Sequence, residues 1–540
     1  MRSCRWICLL SFAVARSAEA QEPPATVPPA DGNGNGDGDD EIVEVIEDET
    51  DTGKPAAPRP EPEAPKPDKI EVRGFGRTTL QYGLPSEGPA PVNAPLSDHV
   101  GYERATSVSQ MYLDVRYNRG KSFQAVISGS LAYTASLVEG RAGEPLDSRT
   151  VSTVLLEPVL REAYLGFYSE RVDVRLGQQR IVWGNADGVA PNDVLNARDT
   201  RNRMQLDAEM VAIPTLAARA DFDIGVAVLG LVAQPFFFPD RASFYGANWS
   251  LVQPDAPLHV RRFFGTYGDG KDPGEVEAAL VRFRQQNLFD GASLGASMRM
   301  HFASFDTSLY YHYGRDRSPY VYLDPQIAQQ FNQARSPENP TGEEFEAIYA
   351  GAKRASASYG GPFVSTSVRR HHVGMDMSTT AGPLVLRLDA AFDTAMTFYT
   401  RDNLNSIAKP TAQAVAGVEY QRGFGKVIVL EASYMHILGP EVPVIPVVNQ
   451  ANSGPLLFVR EQNAAIANVV RWLFWDYVVL EARSLLGINP LSWVVRPEVG
   501  YAGTNFTLRL GYLMIDGAGG SFGSWFRRNE TVYLTTRYSF

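Results

Sequence analysis

The densest concentration of residues able to bind or to do chemistry runs from Gly177 to Arg201. It reads Gly177-Gln-Gln-Arg180-Ile-Val-Trp183-Gly184-Asn-Ala-Asp187-Gly188, followed by Asn192-Asp193-Val-Leu-Asn196-Ala-Arg198-Asp199-Thr-Arg201. Opposite charges sit close together here, and Asp and Asn favour local turns between side chain and backbone. A loop of this kind folds back on itself or into the mouth of a pore. Other candidates for chemistry fall away on inspection. Gly291-Ala-Ser293-Leu-Gly295 matches a nucleophile elbow, but that motif needs a strand-to-helix turn, and here it opens an alternating strand. His371 and His372 are adjacent on a strand, so they point to opposite faces and cannot share a metal. Asp31 to Gly36 mimics the start of a calcium loop, yet its twelfth position is Ile42 rather than Glu. No His-Glu-x-x-His or cysteine-based set occurs. The expectation is no catalysis, no metal and no cofactor.

The elements that must position the charged loop are strands. Past the amino terminus of the 540-residue chain no run of 18 apolar residues occurs, which excludes membrane helices but not a membrane-spanning barrel. Alternation halves the apolar signal of each strand, consistent with a mean hydropathy of −0.19. Charge is unevenly distributed. Residues 1–20 carry +2, and residues 21–69 carry −10 from 14 acids and 4 bases, so 70–540 hold only −3 of the total −11. The folded part therefore offers no footprint for nucleic acid. Both cysteines, Cys4 and Cys8, lie in the first 20 residues. Arg2 and Arg5, an apolar core from Trp6 to Ala15, and Ala18-Glu-Ala20 read as a cleaved secretory signal. Residues 21–69, acidic and then proline-rich, read as a disordered, solvated tail facing the periplasm, with docking on a periplasmic protein as a further option.

From Ile70 on, strand patterns fall near 70–82, 105–118, 121–134, 155–169, 170–183, 208–220, 222–235, 292–303, 304–315, 367–379, 383–396, 411–422, 425–437, 461–474, 476–487, 491–501, 504–515 and 529–540. That count is eighteen, with sixteen as the alternative. Even-numbered joins are tight and odd-numbered joins usually long, notably 184–207, 236–291 and 316–366. Strict parity of short turns and long loops is the layout of an outer-membrane barrel, and a sandwich has no reason to keep it. Asp272-Pro273, Asp324-Pro325 and the Phe345, Ile348, Tyr349 pattern predict short helices inside the long extracellular loops. Within strands, apolar residues alternate with Asp114, Arg116, Asp173, Arg175, Arg387, Asp389, Asp393 and Arg509. Arg or Lys facing lipid at mid-bilayer costs about 2–4 kcal/mol, so the charges are expected to line the lumen. The last strand, Val532 to Phe540, alternates to its final aromatic residue. It resembles the closing strand of bacterial outer-membrane barrels, whose assembly machinery reads a terminal Phe with an aromatic two places before it, here Phe540 and Tyr538.

Arg180, Trp183, Gly184, Asp193, Asn196, Asp199 and Arg201 fit an R-x-x-W-G…D…N-P-x-D-x-R signature. On that loop the chain resembles a family of large proteobacterial outer-membrane barrels defined only as a domain of unknown function. Ala197 stands where that family usually has Pro. The resemblance implies an all-β, transmembrane antiparallel barrel in the outer membrane of a Gram-negative bacterium, in contact with lipid and lipopolysaccharide. It also implies a link to uptake of lipophilic compounds. The expected function is a porin-like channel for passive movement of small solutes through a mixed-charge lumen gated by the long loops. The alternative is a plugged structural barrel that docks a periplasmic partner through its acidic tail.

Overall fold

The computed structural model describes residues 68–84, 102–139, 150–201, 208–243, 248–251, 291–318, 320–323, 327, 341–359, 363–400, 406–422, 425–439, 456–458, 460–475, 477–488 and 490–540. The signal, nearly all of the acidic tail, the calcium-loop mimic and the helix expected from Asp272 lie outside them, as does most of the helix expected from Asp324.

Eighteen strands form one antiparallel sheet. They are β1 (Lys69–Gly83), β2 (Tyr102–Arg119), β3 (Phe123–Glu139), β4 (Thr150–Tyr168), β5 (Val172–Gln179), β6 (Thr215–Asp223), β7 (Ala227–Gln234), β8 (Ser293–His301) and β9 (Asp306–Arg315). The ring continues through β10 (Arg369–Ala381), β11 (Leu384–Tyr399), β12 (Ser406–Arg422), β13 (Lys426–Ile437), β14 (Gln462–Phe474), β15 (Val478–Ile488), β16 (Leu491–Ala502), β17 (Phe506–Gly517) and β18 (Thr531–Ser539). Each pairs with its sequence neighbours, and β18 pairs with β1 from Phe75↔Ser539 to Gly83↔Thr531. Two further bonds seal the join: Gly74 N donates to Phe540 O and Phe540 N to Gly74 O, each at 3.0 Å. The sheet is thus a closed barrel, and it has eighteen strands rather than sixteen.

Alternation sorts the two faces. Leu80, Leu176, Leu309, Leu386, Leu430 and Leu510 point outward and are between 37% and 50% exposed. Asp389 and Asp393 alternate with exposed Leu386 and Phe392 on β11 and are buried inside. On β17, Phe506, Leu508 and Leu510 face out while Arg509 reaches inward to Glu498 at 3.2 Å and Glu481 at 3.5 Å. Eighteen strands enclose a lumen too wide for wall side chains alone to fill.

Three expected strands are markedly shorter than their sequence pattern; the one expected over 222–235 begins at Ala227, because Phe222 and Asp223 still belong to β6 and the turn falls at 224–226. The strand expected over 170–183 ends at Gln179, because the chain there leaves the wall for the interior. The strand expected over 208–220 begins at Thr215. Residues 208–211 form instead a helical turn, α1 (Ala208–Val211), and Arg161 holds it by donating to Met210 O at 3.3 Å and Ala212 O at 2.6 Å. The third expected helix is present as α2 (Gly342–Tyr359), entered by a capping box in which the Thr341 and Glu344 side chains each accept from the other's backbone N–H. A fourth element was not expected: α3 (Phe522–Phe526), capped by Ser521, tucks into the long-loop end of the barrel. Its Phe522 and Phe526 pack with Phe458, and Phe526 with Trp249, so three long connections meet in one aromatic cluster.

The closing seam gives a matched test. A Cβ at Gly74 would lie 2.6 Å from both Phe540 Cζ and Tyr112 O, whereas one at Gly76 meets nothing within 4 Å. Gly74→Val should therefore sharply reduce the fraction of protein with the mobility of a folded barrel in unheated electrophoresis samples, and Gly76→Val should leave it unchanged.

Candidate functional site

The candidate site is the interior segment between β5 and β6, residues 180–201 and 208–214, with the wall that receives it. After Gly177, at φ 133°, and Gln179, the segment turns into the lumen. Asn196 holds its two arms together: its Nδ2 donates to Ile181 O at 2.6 Å and its Oδ1 accepts from Ile181 N at 3.2 Å. A side-chain amide here replaces the backbone ladder that the wall no longer supplies. Trp183 stacks on Tyr310 of β9 at 5.0 Å and 22°, and its far edge lies over Gly295 of β8. With Ile181, Val194, Leu195, Ala217 and Val232 these rings form a buried apolar cluster between segment and wall.

Beyond Trp183 the segment crosses to the opposite wall and is held there by carboxylates. Asn185 N donates to Asp389 at 3.2 and 3.1 Å, and Asp187 N donates to Glu431 Oε1 at 2.5 Å. Gly188 N donates to the other oxygen of Glu431. Arg387 bridges Asp187 of the segment and Glu419 of β12. Asn192 donates to Met375 O at 2.9 Å and to Asp389 Oδ2 at 3.4 Å. The wall makes room with small residues: a Cβ at Gly374 would overlap Asn192 Oδ1. Gly184 is at φ 88°, a conformation L side chains rarely adopt, and sits against Asp389. Gly184 N also donates to Tyr310 Oη at 3.3 Å, and Tyr310 donates to Asp376 at 2.5 Å.

The returning arm carries the rest of the charged motif. Asp193 pairs with Arg198 at 3.0 Å. Arg201 pairs with Asp199 at 2.5 Å and with Glu157 of β4 at 3.0 Å. Arg198 N donates to Asp240 Oδ1 at 2.8 Å. Burial pushes the Asp240 carboxyl up to about 6 and brings the Arg317 guanidinium beside it down to about 10. Arg317 also donates to Gln234 Oε1 at 3.0 Å and to the carbonyl of Leu195.

The other residues singled out by sequence are distributed around the wall. Asp114 and Arg116 pair with each other at 2.7 Å on β2. Asp173 lies opposite Asp221 in register, and Arg175 opposite Arg219. Arg180 donates through its backbone N to Glu162 at 3.0 Å. Asp393 accepts from Arg370 at 3.0 Å and contacts His372 Nδ1 at 3.0 Å, while His371 faces out and meets Tyr311 Oη at 2.8 Å. Ser293 donates to Gln234 Oε1 at 2.7 Å as an ordinary buried hydroxyl. Tyr538 and Phe540 face outward at the seam. Among the described residues no group of three or more His, Cys, Asp or Glu could hold a metal.

Sequence reading missed Glu419, Glu431, Asp376, Tyr310, Arg317 and Gly374. Glu431 was within reach of alternation, since it lies between Leu430 and Ala432 on β13. Its contact with Asp187, 244 positions away, left no local signal.

A family model described as "Protein of unknown function (DUF1302)" matches residues 94–478. A search of curated proteins finds no match. Among solved structures, the outer membrane channel DcaP of Acinetobacter baumannii aligns at 11% identity and a TM-score of 0.38, covering 88% of this chain and 97% of that one. OccAB3 of Acinetobacter baumannii aligns at 7% identity and TM-score 0.45, covering 87% and 99%. OpdK of Pseudomonas aeruginosa with vanillate aligns at 8% and 0.41, covering 87% and 98%.

Two outcomes follow from this geometry. Gly374→Ala should destabilise the barrel by about 1–3 kcal/mol through overpacking, and most of that loss should vanish in an Asn192→Ala background, as read by urea unfolding midpoints. The Asp240 carboxyl binds its proton more tightly folded, at about 6, than at its ordinary 3.8. Its contribution is therefore full below the lower value and is lost as pH rises through the higher one. Asp240→Asn should flatten that part of the pH dependence of the melting temperature.

Proposed function

The chain belongs to the DUF1302 family, and from that premise and its own geometry we propose that it is a porin-like channel of a Gram-negative outer membrane. The carrying observation is the sorting of the two faces of a closed ring. An apolar band circles the outside while charges turn inward, an arrangement suited to lipid around the wall and water within it. Soluble monomers rarely expose contiguous apolar surface beyond a few hundred Å², and a girdle on every strand far exceeds that. Lipid and lipopolysaccharide are then the natural surroundings, and the outward Tyr538 and Phe540 at the seam are suited to capture by the barrel-assembly machinery.

In this reading small solutes, lipophilic ones included, move passively past a constriction made by residues 180–201 and 208–214. The segment narrows the lumen from β5 to β13, nearly across the ring, and the long outer loops control access to it. The mixed charge of the lumen comes from wall pairs such as Arg483 with Glu481 at 2.5 Å and Arg496 with Glu498 at 2.8 Å.

A second reading is favoured by how firmly the interior is filled. The carboxylate-held segment and the aromatic cluster at the long-loop end are what a plugged structural barrel would have, with residues 21–69 docking a periplasmic partner. Planar-bilayer recording separates the two. A channel gives discrete conductance steps, and Asp389→Ala with Glu431→Ala, which removes the acceptors holding the segment, should enlarge the steps or make them noisier. Absence of steps in both wild type and double variant would favour the plugged barrel.

A further inference from the structure

The outer face of the closing seam carries a furrow of about 340 Å³. Its floor is four small residues side by side: Gly76 and Thr78 of β1, Ser109 of β2 and Thr536 of β18. Thr78 is the register partner of both Ser109 and Thr536. A Cβ at Gly76 would meet nothing within 4 Å, so the space above it is open. The hydroxyls of Thr78 and Ser109 share a hydrogen bond at 3.0 Å, and that of Thr536 donates to Thr78 O at 3.5 Å. The polar groups of the floor are thus satisfied among themselves and need nothing from the medium. The rim is bulky. Phe506, Tyr538, Met111, Leu131, Tyr133 and Leu156 stand around the floor, each between 42% and 59% exposed.

The furrow runs obliquely up the wall, because barrel strands are tilted. Register carries it from Phe506 to Tyr538, Gly76, Met111 and Leu131. Phe506 is the first residue of β17, just past the short join from β16, whereas Met111 and Leu131 lie at the middles of β2 and β3. One end therefore opens at the periplasmic border of the wall and the other reaches mid-wall. That is the course of an acyl chain whose headgroup lies at the periplasmic border. The furrow is continuous with the outward apolar band, so hydrocarbon is the medium that meets it. A concave strip facing its own like on a second copy would leave a void, whereas a flexible chain can lie along it. Between Tyr538 and Met111 such a chain gains dispersion contacts on three sides, where a chain on the convex wall has them on one. Phospholipid supplies the chains of the periplasmic leaflet, and lipopolysaccharide belongs to the opposite one.

We propose that this furrow is a binding site for one acyl chain of a periplasmic-leaflet phospholipid, which fills the outer face of the seam. The proposal rests on the outer-membrane placement in the reading above and adds a lipid ligand to it. The probe is dioleoyl phosphatidylethanolamine, added to the detergent-solubilised full chain, with native mass spectrometry counting what stays bound as detergent is raised. Wild type should keep one phospholipid under conditions that strip the rest. Gly76→Leu fills the furrow from its floor, and Ser109→Leu fills it from the neighbouring strand. Occupancy in each should fall roughly tenfold. Ala416→Leu adds bulk to the exposed face of β12, away from the seam, and should keep the lipid. Folding of each variant is checked by the heat-dependent shift in electrophoretic mobility, and either folded variant decides. Equal retention in wild type and variants, or no retained phospholipid in wild type, would overturn the site and leave the channel reading standing. Retained lipopolysaccharide, or a wild-type dimer that Gly76→Leu breaks apart, would overturn it in favour of that occupant. Wild-type protein that stays dissolved and monomeric without detergent would end the outer-membrane reading, and the site with it.

Discussion

A sheet whose first and last strands pair with each other has no edge, and everything else in this molecule depends on that closure. Once β18 is bonded to β1, every strand has a neighbour on both sides, and the ladder's N–H and C=O groups pair within the wall. Closure also converts a period of two into an inside and an outside. Leu386 and Asp389, three residues apart, end up in opposite media because the ring separates them. A single slip of register would exchange them.

The second constraint arises from the first. A ring of eighteen strands has too much interior for its own side chains, so the chain supplies an internal wall of its own. The segment after β5 cannot bring a strand ladder with it, and its backbone must be satisfied otherwise. Asn196 serves one turn, Asp389 and Glu431 serve the next, and Arg317 and Gln234 take the Leu195 carbonyl. Buried carboxylates that would be costly alone become anchoring points when backbone N–H groups and Arg387 meet them. The charged residues of the wall are therefore of two kinds: those covered by the segment, which hold it, and those left facing the lumen.

The ring was legible from alternation and from the parity of turns, because both are local properties. All eighteen strands are present close to where the pattern puts them; the β6–β7 turn falls at 224–226 rather than at 221–223, and the ends bordering 180–214 are the larger exception. That exception is informative. The pattern of 208–220 is strand-like, but Arg161, reaching in beside a wall bulge opposite Ser128, captures the carbonyls of Met210 and Ala212 and so fixes a helical turn. The charged loop could be recognised from its composition, and pore mouth was one of its two expected destinations. Its receiving wall could not. Gly374 gives no hint of itself in sequence, because what makes it necessary is the arrival of Asn192 from almost two hundred residues away. α3 was missed for the same reason, being five residues long and held by aromatic partners from distant connections.

The separation in sequence of paired groups carries a message about the order of construction. The hydroxyls of Thr79 and Thr535, bonded across the seam at 3.1 Å, are 456 positions apart, whereas Asn185 and Asp389 are 204 apart and Asp187 and Glu431 are 244 apart. A chain delivered amino end first presents every anchor of the interior segment well before it presents the strand that shuts the cylinder. Contacts of short span cost less loop entropy than those of long span. The partition can thus be laid against a curved, still unsealed sheet, and the cylinder is completed around contents already in place.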